Sequence, residues 1–284
     1  MKRELKIKQT CVYIVIFLLA MTVGSHNSQG QIPKKLHSKY FTFLPTTPVA
    51  NTLQKYRMTA VYTNRDLYGN FMDKTKVSGD YTRGLENGNV KWDNVTISGS
   101  NKYSDPFLPG AKQDYMENMK YVPSPKMLDT DAFKGFPATP AGVFTKNLVW
   151  DMMTIEGFAW DHSDSLKLNR IYNLPNASDE FNMENIGTYS HVNIQLCWTG
   201  VSTFGDEICA VIEFRAVDNK LAMTMPGFSS KGTEQYWGTI WVSFQTRLIE
   251  KAVMYGGTMQ EITVTGMQNK LMIKTIRELW VDKI

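Results

Sequence analysis

Glu213, His191 and Asn193 are the side chains in this sequence whose types and spacing best fit acid–base chemistry. Two alternating segments, Tyr189–Thr199 and Asp206–Val217, read as a hairpin around a loop at Gly200–Gly205. If that hairpin is symmetric about Thr203, Asn193 stands opposite Glu213 and His191 opposite Arg215. A carboxylate with an imidazole and a carboxamide beside it could transfer protons, with Glu213 as the carrier of a hydrolase or isomerase. Polar pairs of this kind are also common on any solvated sheet face. The same register sets Cys197 opposite Cys209. At a non-hydrogen-bonded pair that geometry permits a cross-strand disulfide; two buried free thiols are the other outcome.

A second cluster of polar groups is Asp161-His162-Ser163-Asp164, with Asp151 just upstream. Carboxylates and an imidazole are metal ligands, but ligands must converge from several directions, and a contiguous tetrapeptide reads better as a turn after a helix. No metal and no cofactor is expected. There is no nucleophile elbow, phosphate-binding loop, dinucleotide fingerprint or His-Glu-x-x-His. Asn94-Val95-Thr96 and Asn176-Ala177-Ser178 fit the acceptor pattern for N-glycosylation, which matters only in a eukaryotic secretory pathway.

The third group is apolar. The chain has 16 methionines, whose pliant side chains suit a surface that must fit a variable apolar shape as well as gaps in a core. The Tyr236–Phe244 segment carries Trp237 and Trp241 on one side and Ile240 and Phe244 on the other, so something must cover the second face. Met152, Met223, Met225, Trp237, Trp241 and Phe244 are the candidate ligand-binding residues.

These groups need elements to hold them. Residues 1–30 have the layout of a secretory signal peptide: Lys2, Arg3, Lys6 and Lys8, an apolar run from Val12 to Val23, then small residues. The run is short for a membrane span. An exported chain, periplasmic or extracellular and without an integral span once the signal is removed, is expected. The leader holds four of the 31 basic residues and one of the 27 acidic ones, which leaves 27 against 26. That balance gives no electrostatic footprint for nucleic acid. Residues 31–54 read as an extended lead-in and 55–284 as a single β-rich domain. Within it, 55–98 is a meander and 99–142 a proline-interrupted, lid-like excursion. Residues 144–160 form an amphipathic helix on the stripe Phe144, Leu148, Met152 and Ile155, and 189–284 a second meander.

The expected fold is α+β, mainly antiparallel: a curved sheet or half-barrel covered by the helix and the excursion. At the level of fold alone it resembles periplasmic lipoprotein carriers and related lipid-binding half-barrels. The leading expectation is an exported, non-catalytic binding protein for an apolar or amphipathic, lipid-like ligand held in a cavity lined by Met and aromatic side chains. An enzyme working at Glu213 and His191 and a structural or envelope-assembly component are the alternatives. A small apolar ligand or an envelope component is the expected partner.

Overall fold

Tyr56, Met58, Ala60 and Tyr62 are buried, while Lys55 and Arg57 on either side of Tyr56 are exposed. This two-residue period seats one face of a strand on a core, and the computed structural model repeats it across a 13-stranded sheet. The structure describes residues 44–45, 49–128, 130–175, 180–182 and 187–284, all within the compact unit Phe41–Ile284. The expected signal segment and most of the lead-in lie outside the described residues.

In chain order the strands are β1 (Gln54–Asp66), β2 (Phe71–Arg83), β3 (Val90–Ser100), β4 (Ala111–Lys112) and β5 (Met119–Tyr121). After the helix α1 (Pro140–Trp160) come β6 (Ile171–Asn173), β7 (Glu180–Asn182), β8 (Gly187–Ser190), β9 (Asn193–Phe204), β10 (Glu207–Met225), β11 (Phe228–Ser243), β12 (Ile249–Val264) and β13 (Leu271–Lys283). Their spatial order is β4, β3, β2, β1, β13, β12, β11, β10, β8, β7; β5 also pairs with β3, β9 with the first half of β10, and β6 with β9. The named strands pair antiparallel throughout. The sheet is open, and its first and last long strands, β1 and β13, are neighbours at its centre. This is the α+β, mainly antiparallel architecture that the alternation implies.

Three strands run longer than the sequence pattern suggests, two of them through glycines. Phe228–Gln235 and Gly256-Gly257 read as turns, yet they lie inside β11 and β12, each 16 residues long. At Gly232, and at Gly238 in the same strand, glycine serves close approach rather than a turn. A Cβ at Gly232 would come within 2.9 Å of Gln260 Cα, and one at Gly238 within 2.8 Å of the Phe214 ring. Likewise β10 runs on for 19 residues. Its pairing with β11 slips between Ala216 and Asn219, where Asp218 takes a left-handed φ of 58°. That bulge reverses the side on which alternate residues point. Upstream of it, Ala210, Ile212, Phe214 and Ala216 face the core; downstream, Asn219, Leu221, Met223 and Met225 join that same face.

The β9–β10 hairpin also departs from the expected register. Its turn is the two-residue Gly205-Asp206, with Phe204 paired to Glu207 and Gly205 at φ 58°. Tight hairpins of this kind match the right-handed twist of the strands, so β9 continues through Gly200 to Phe204 instead of stopping for a loop.

Helix α1 begins four residues before the expected start. Pro140, which read as an interruption, occupies its first turn, where a missing N–H costs nothing and the fixed φ favours the helix. The helix lies on the inner face of the sheet. Phe144 meets Tyr62 at 4.8 Å between ring centroids, and Phe158 meets Phe214 at 5.1 Å. The 99–142 excursion packs behind the helix and along the sheet margin: Trp150 Nε1 donates to Met127 O at 2.9 Å, Tyr115 bonds Thr145, and Lys74 Nζ donates to the carbonyls of Tyr103 and Asp105.

Candidate functional site

Two carboxylates on the inward side of α1 meet cations of the sheet. Asp151 lies 3.1 Å from Arg277 of β13, whose other amino group is 3.3 Å from Glu234 of β11. Tyr189 donates a 2.7 Å hydrogen bond to Glu234, and His191 packs edge-on against Tyr189 and Tyr236. Burial pushes the Asp151 carboxyl up, Arg277 opposing, to about 6. For Arg277, burial works against the charge, but Asp151 and Glu234 carry its pKa above the usual arginine value. Burial holds His191 below the usual imidazole range. One turn and a half along the helix, Glu156 lies 3.4 Å from Arg83 and accepts from Tyr81 at 3.1 Å. Burial lifts it to about 7, against the pull of Arg83. Arg83 also stacks on Trp160, 4.1 Å from the ring centroid.

Between these anchors the interface is filled. Met58, Leu148, Met152, Ile155, Ile212 and Leu279 are fully buried. The cavity in this region, near the helix C-terminus, has a volume of about 10 Å³, room for a water molecule and nothing larger. Ligand cavities typically run to roughly 300–1,000 Å³. Met152, which is fully buried, is therefore a core residue of the helix–sheet interface.

Beyond the helix N-terminus the inner face is different. Across it, Leu221 pairs with Gly232, Met223 with Ser230, and Met225 with Phe228. Phe228 continues to Val264, Ser230 to Ile262 and Ile262 to Leu271. Burial lapses along each strand. On β10 it falls from Phe214 at 3% exposed to half-buried Leu221, Met223 and Met225; on β13, from Leu279 and Val281 at 0% to half-buried Leu271 and Ile273. The Asp151–Arg277–Glu234 cluster sits at this boundary.

The remaining sequence-predicted residues divide between two faces. Trp237 and Trp241 point to the outer face, where Trp237 lies 6.4 Å from Tyr255, ring to ring, and is 48% exposed. They share no site with Met223 and Met225. Phe244 lines the small cavity and packs edge-on to Trp198. Glu213 is exposed and pairs with Cys197 and Thr239; Asn193 pairs with Val217; His191 precedes β9 and turns toward Tyr236. The proposed acid–base group is thus dispersed, because the hairpin register is offset by four residues from the symmetric one. The same offset separates the cysteines. Both are free, Cys209 opposite Ser202 and Cys197 opposite Glu213. Four residues of strand is about 13 Å, well beyond the roughly 7 Å that a disulfide spans between Cα atoms.

Asp161–Asp164 forms the turn after the helix: Ser163 Oγ donates to Trp160 O at 2.7 Å and accepts from Arg247 Nη2 at 2.8 Å. Among the described residues no three His, Cys, Asp or Glu side chains gather into a metal-sized group, and no helix is long and apolar enough to cross a membrane. The cations drawn into the fold, buried Arg247 and the partly buried Arg83 and Arg277, escaped the sequence reading. Arg277 had a signal, since it shares its side of the strand with Leu279 and Val281; Asp151 and Glu156 flank the apolar stripe of α1 in the same way.

No family description matches the chain, and no curated protein does. Among solved structures it is similar to lipovitellin, described for its lipid–protein interactions, with a TM-score of 0.41 and 15% identity over 84% of this chain and 25% of that one. The chain thus spans about a quarter of lipovitellin. A DUF1329 family protein from Desulfovibrio piger gives a TM-score of 0.13 and 8% identity over 80% and 84% of the two chains. Superpositions this loose carry neither family nor function to this chain.

Proposed function

We propose that this is an exported binding protein whose apolar or amphipathic ligand lies on the inner face of the sheet beyond the helix. The observation behind this reading is the lapse in burial along β10 and β13, where the apolar pattern persists after the helix has ended. Leu221, Met223, Met225, Phe228, Ile262 and Leu271 form that face, and two of them are methionines, which adapt to varied apolar shapes. Five of these six side chains are only half-buried, more apolar surface than a solvated sheet end needs. Export follows from the leader-like residues 1–30.

The test is native mass spectrometry of protein recovered from its own secreting host, with solvent extraction of bound lipid. A co-purifying lipid, lost in Met223→Asp and in Leu271→Asp but kept in Trp237→Ala, is the expected result. A ligand-free protein that binds no lipid vesicle or fatty acid would overturn the reading. It would favour the structural alternative, in which the same face docks an envelope component.

A further inference from the structure

A band of polar side chains crosses the inner face between its helix-covered half and its open apolar half. Followed through the strand pairs from β10 to β2, it runs Asn219, Glu234, Thr258, Thr275, Asn64 and Asp73. Residues directly opposite in antiparallel strands share a face. Arg277, the next residue after Thr275 on that side of β13, fixes the face as the inner one through its contact with Asp151 of the helix. Asn219 is fully buried and the other five are half-buried, so the band is an accessible surface rather than a closed cavity. Its far end is a hydrogen-bonded chain: Thr275 Oγ1 donates to Asn64 Oδ1 at 2.7 Å, and Asn64 Nδ2 to Asp73 Oδ1 at 2.8 Å.

The band is acidic. Asp73, Glu234 and neighbouring Asp151 are three carboxylates against one cation, and Arg277 is already engaged by Asp151 and Glu234. Among the described residues no cation lies within 4.0 Å of the Asp73 carboxylate. The cations beside it in the strands, Arg65 and Lys74, alternate to the outer face and meet the ring of Tyr103 there. Past the band on β10 come Leu221, Met223 and Met225. From Asn219 to Met225 the strand advances about 20 Å, comparable to an extended acyl chain. The open face is thus apolar toward the end of the sheet and acidic toward the helix. A carboxylate or phosphate head laid on it would meet like charge, whereas an ammonium would meet Asp73 and the hydroxyls of Thr258 and Thr275.

We infer that the ligand of the open face is an amphiphile with a cationic, hydrogen-bond-donating head of the ammonium type. The head lies on the acidic band and the tail over Leu221, Met223 and Met225. This rests on the reading of the open face as a binding surface and names the chemistry of what it binds.

The experiment is isothermal titration calorimetry of the full chain, stripped of bound lipid, with three amphiphiles of one tail length. Dodecylammonium, dodecyl maltoside and dodecanoate are each titrated at neutral pH below the concentration at which they aggregate. Dodecylammonium is expected to bind tightest and dodecanoate weakest, with about a tenfold gap between them, as one or two partly screened charges supply. Met223→Asp weakens all three, which places them on this face. In Asp73→Asn, which removes the charge and keeps the bond from Asn64, the gap narrows about threefold. In Glu261→Gln, which removes an outer-face carboxylate paired with Lys231 and Lys270, the gap is unchanged. Equal binding of all three, or tighter binding of dodecanoate, overturns the inference while leaving the binding surface in place. A gap that Asp73→Asn does not narrow overturns it as well. Binding of none of the three removes the surface itself, and the inference with it. Should Asp73→Asn fail to fold, the wild-type order decides.

Discussion

Asp151 of the helix and Arg277 of the last strand meet at 3.1 Å across the helix–sheet interface, and Arg277 reaches Glu234 at 3.3 Å on its other side. One cation thus holds two carboxylates from separate elements, where the covered half of the sheet gives way to the open half. The cluster fixes where the helix begins to lie on the sheet, and so how much apolar face stays uncovered.

Removing the cation leaves two buried carboxylates facing each other. Arg277→Met is expected to destabilise the fold by about 3–5 kcal/mol, the usual cost of breaking a buried pair from one side. Asp151→Asn removes one charge and keeps a hydrogen-bonding group, so it costs less. Urea denaturation of both variants checks the order; an Arg277→Met loss under about 1 kcal/mol would show that the cluster is solvated.

Phe214 packs over Gly238 on the neighbouring strand and receives Phe158 from the helix on its ring, 5.1 Å away. Gly238→Ala drives a methyl group into that ring and into the Val253 carbonyl. A loss of about 1–3 kcal/mol is expected from such overpacking. Gly257→Ala, with nothing within 4 Å of the new methyl, is the control and shifts the midpoint little.

Much of this architecture was legible in the residues. The alternation of Tyr56, Met58, Ala60 and Tyr62, and the helix stripe through Leu148 and Met152, each mark one buried face and need no partner to be read. What escaped was register. Gly232 and Gly256 look like turns until the strands beside them are in place. The Asp218 bulge likewise reveals itself only through the pairing of Ala216 with Tyr236 and Asn219 with Glu234. The site suffered most from this, since one slipped register was enough to put Asn193 against Glu213 and to align two cysteines that lie far apart. Met223 and Met225 are candidates because methionine content is a property of composition; that they share a face with Phe214, and not with Trp237, is a property of the bulge.

The cysteines provide a direct check on that register. Burial raises both thiols, Cys209 to about 12 with Glu250 and Glu207 adding to it. Thiolate is therefore scarce at neutral pH. In the chain without residues 1–30, two thiols are expected to titrate under denaturing, non-reducing conditions. In the native protein half-buried Cys197 alkylates slowly, and Cys209, at 0% exposure, only on unfolding. A mass two units below the reduced value would instead report a Cys197–Cys209 disulfide and a different hairpin.

Glu156 gives the fold a pH dependence whose sign can be worked out. Burial raises its folded-state pKa from 4.5 to about 7, above the unfolded value. Between those limits the folded protein keeps a proton that the unfolded chain releases, so rising pH favours unfolding. The stability linked to this group is full below about pH 4.5, declines as pH rises, and is gone by about pH 7. Asp151, raised to about 6, acts in the same direction over a lower window. His191, held below its usual value, opposes both, because the unfolded chain binds its proton first as pH falls. Comparison with Glu156→Gln isolates the first effect. The variant carries a constant offset from altered contacts with Tyr81 and Arg83, while the wild-type stability minus that of the variant should fall by on the order of 1–3 kcal/mol from pH 4.5 to 7 and then level off. Urea midpoints at half-unit steps provide the measurement. A difference that stays flat across this range would mean that Glu156 is ionised in the folded protein throughout, with Arg83 outweighing burial.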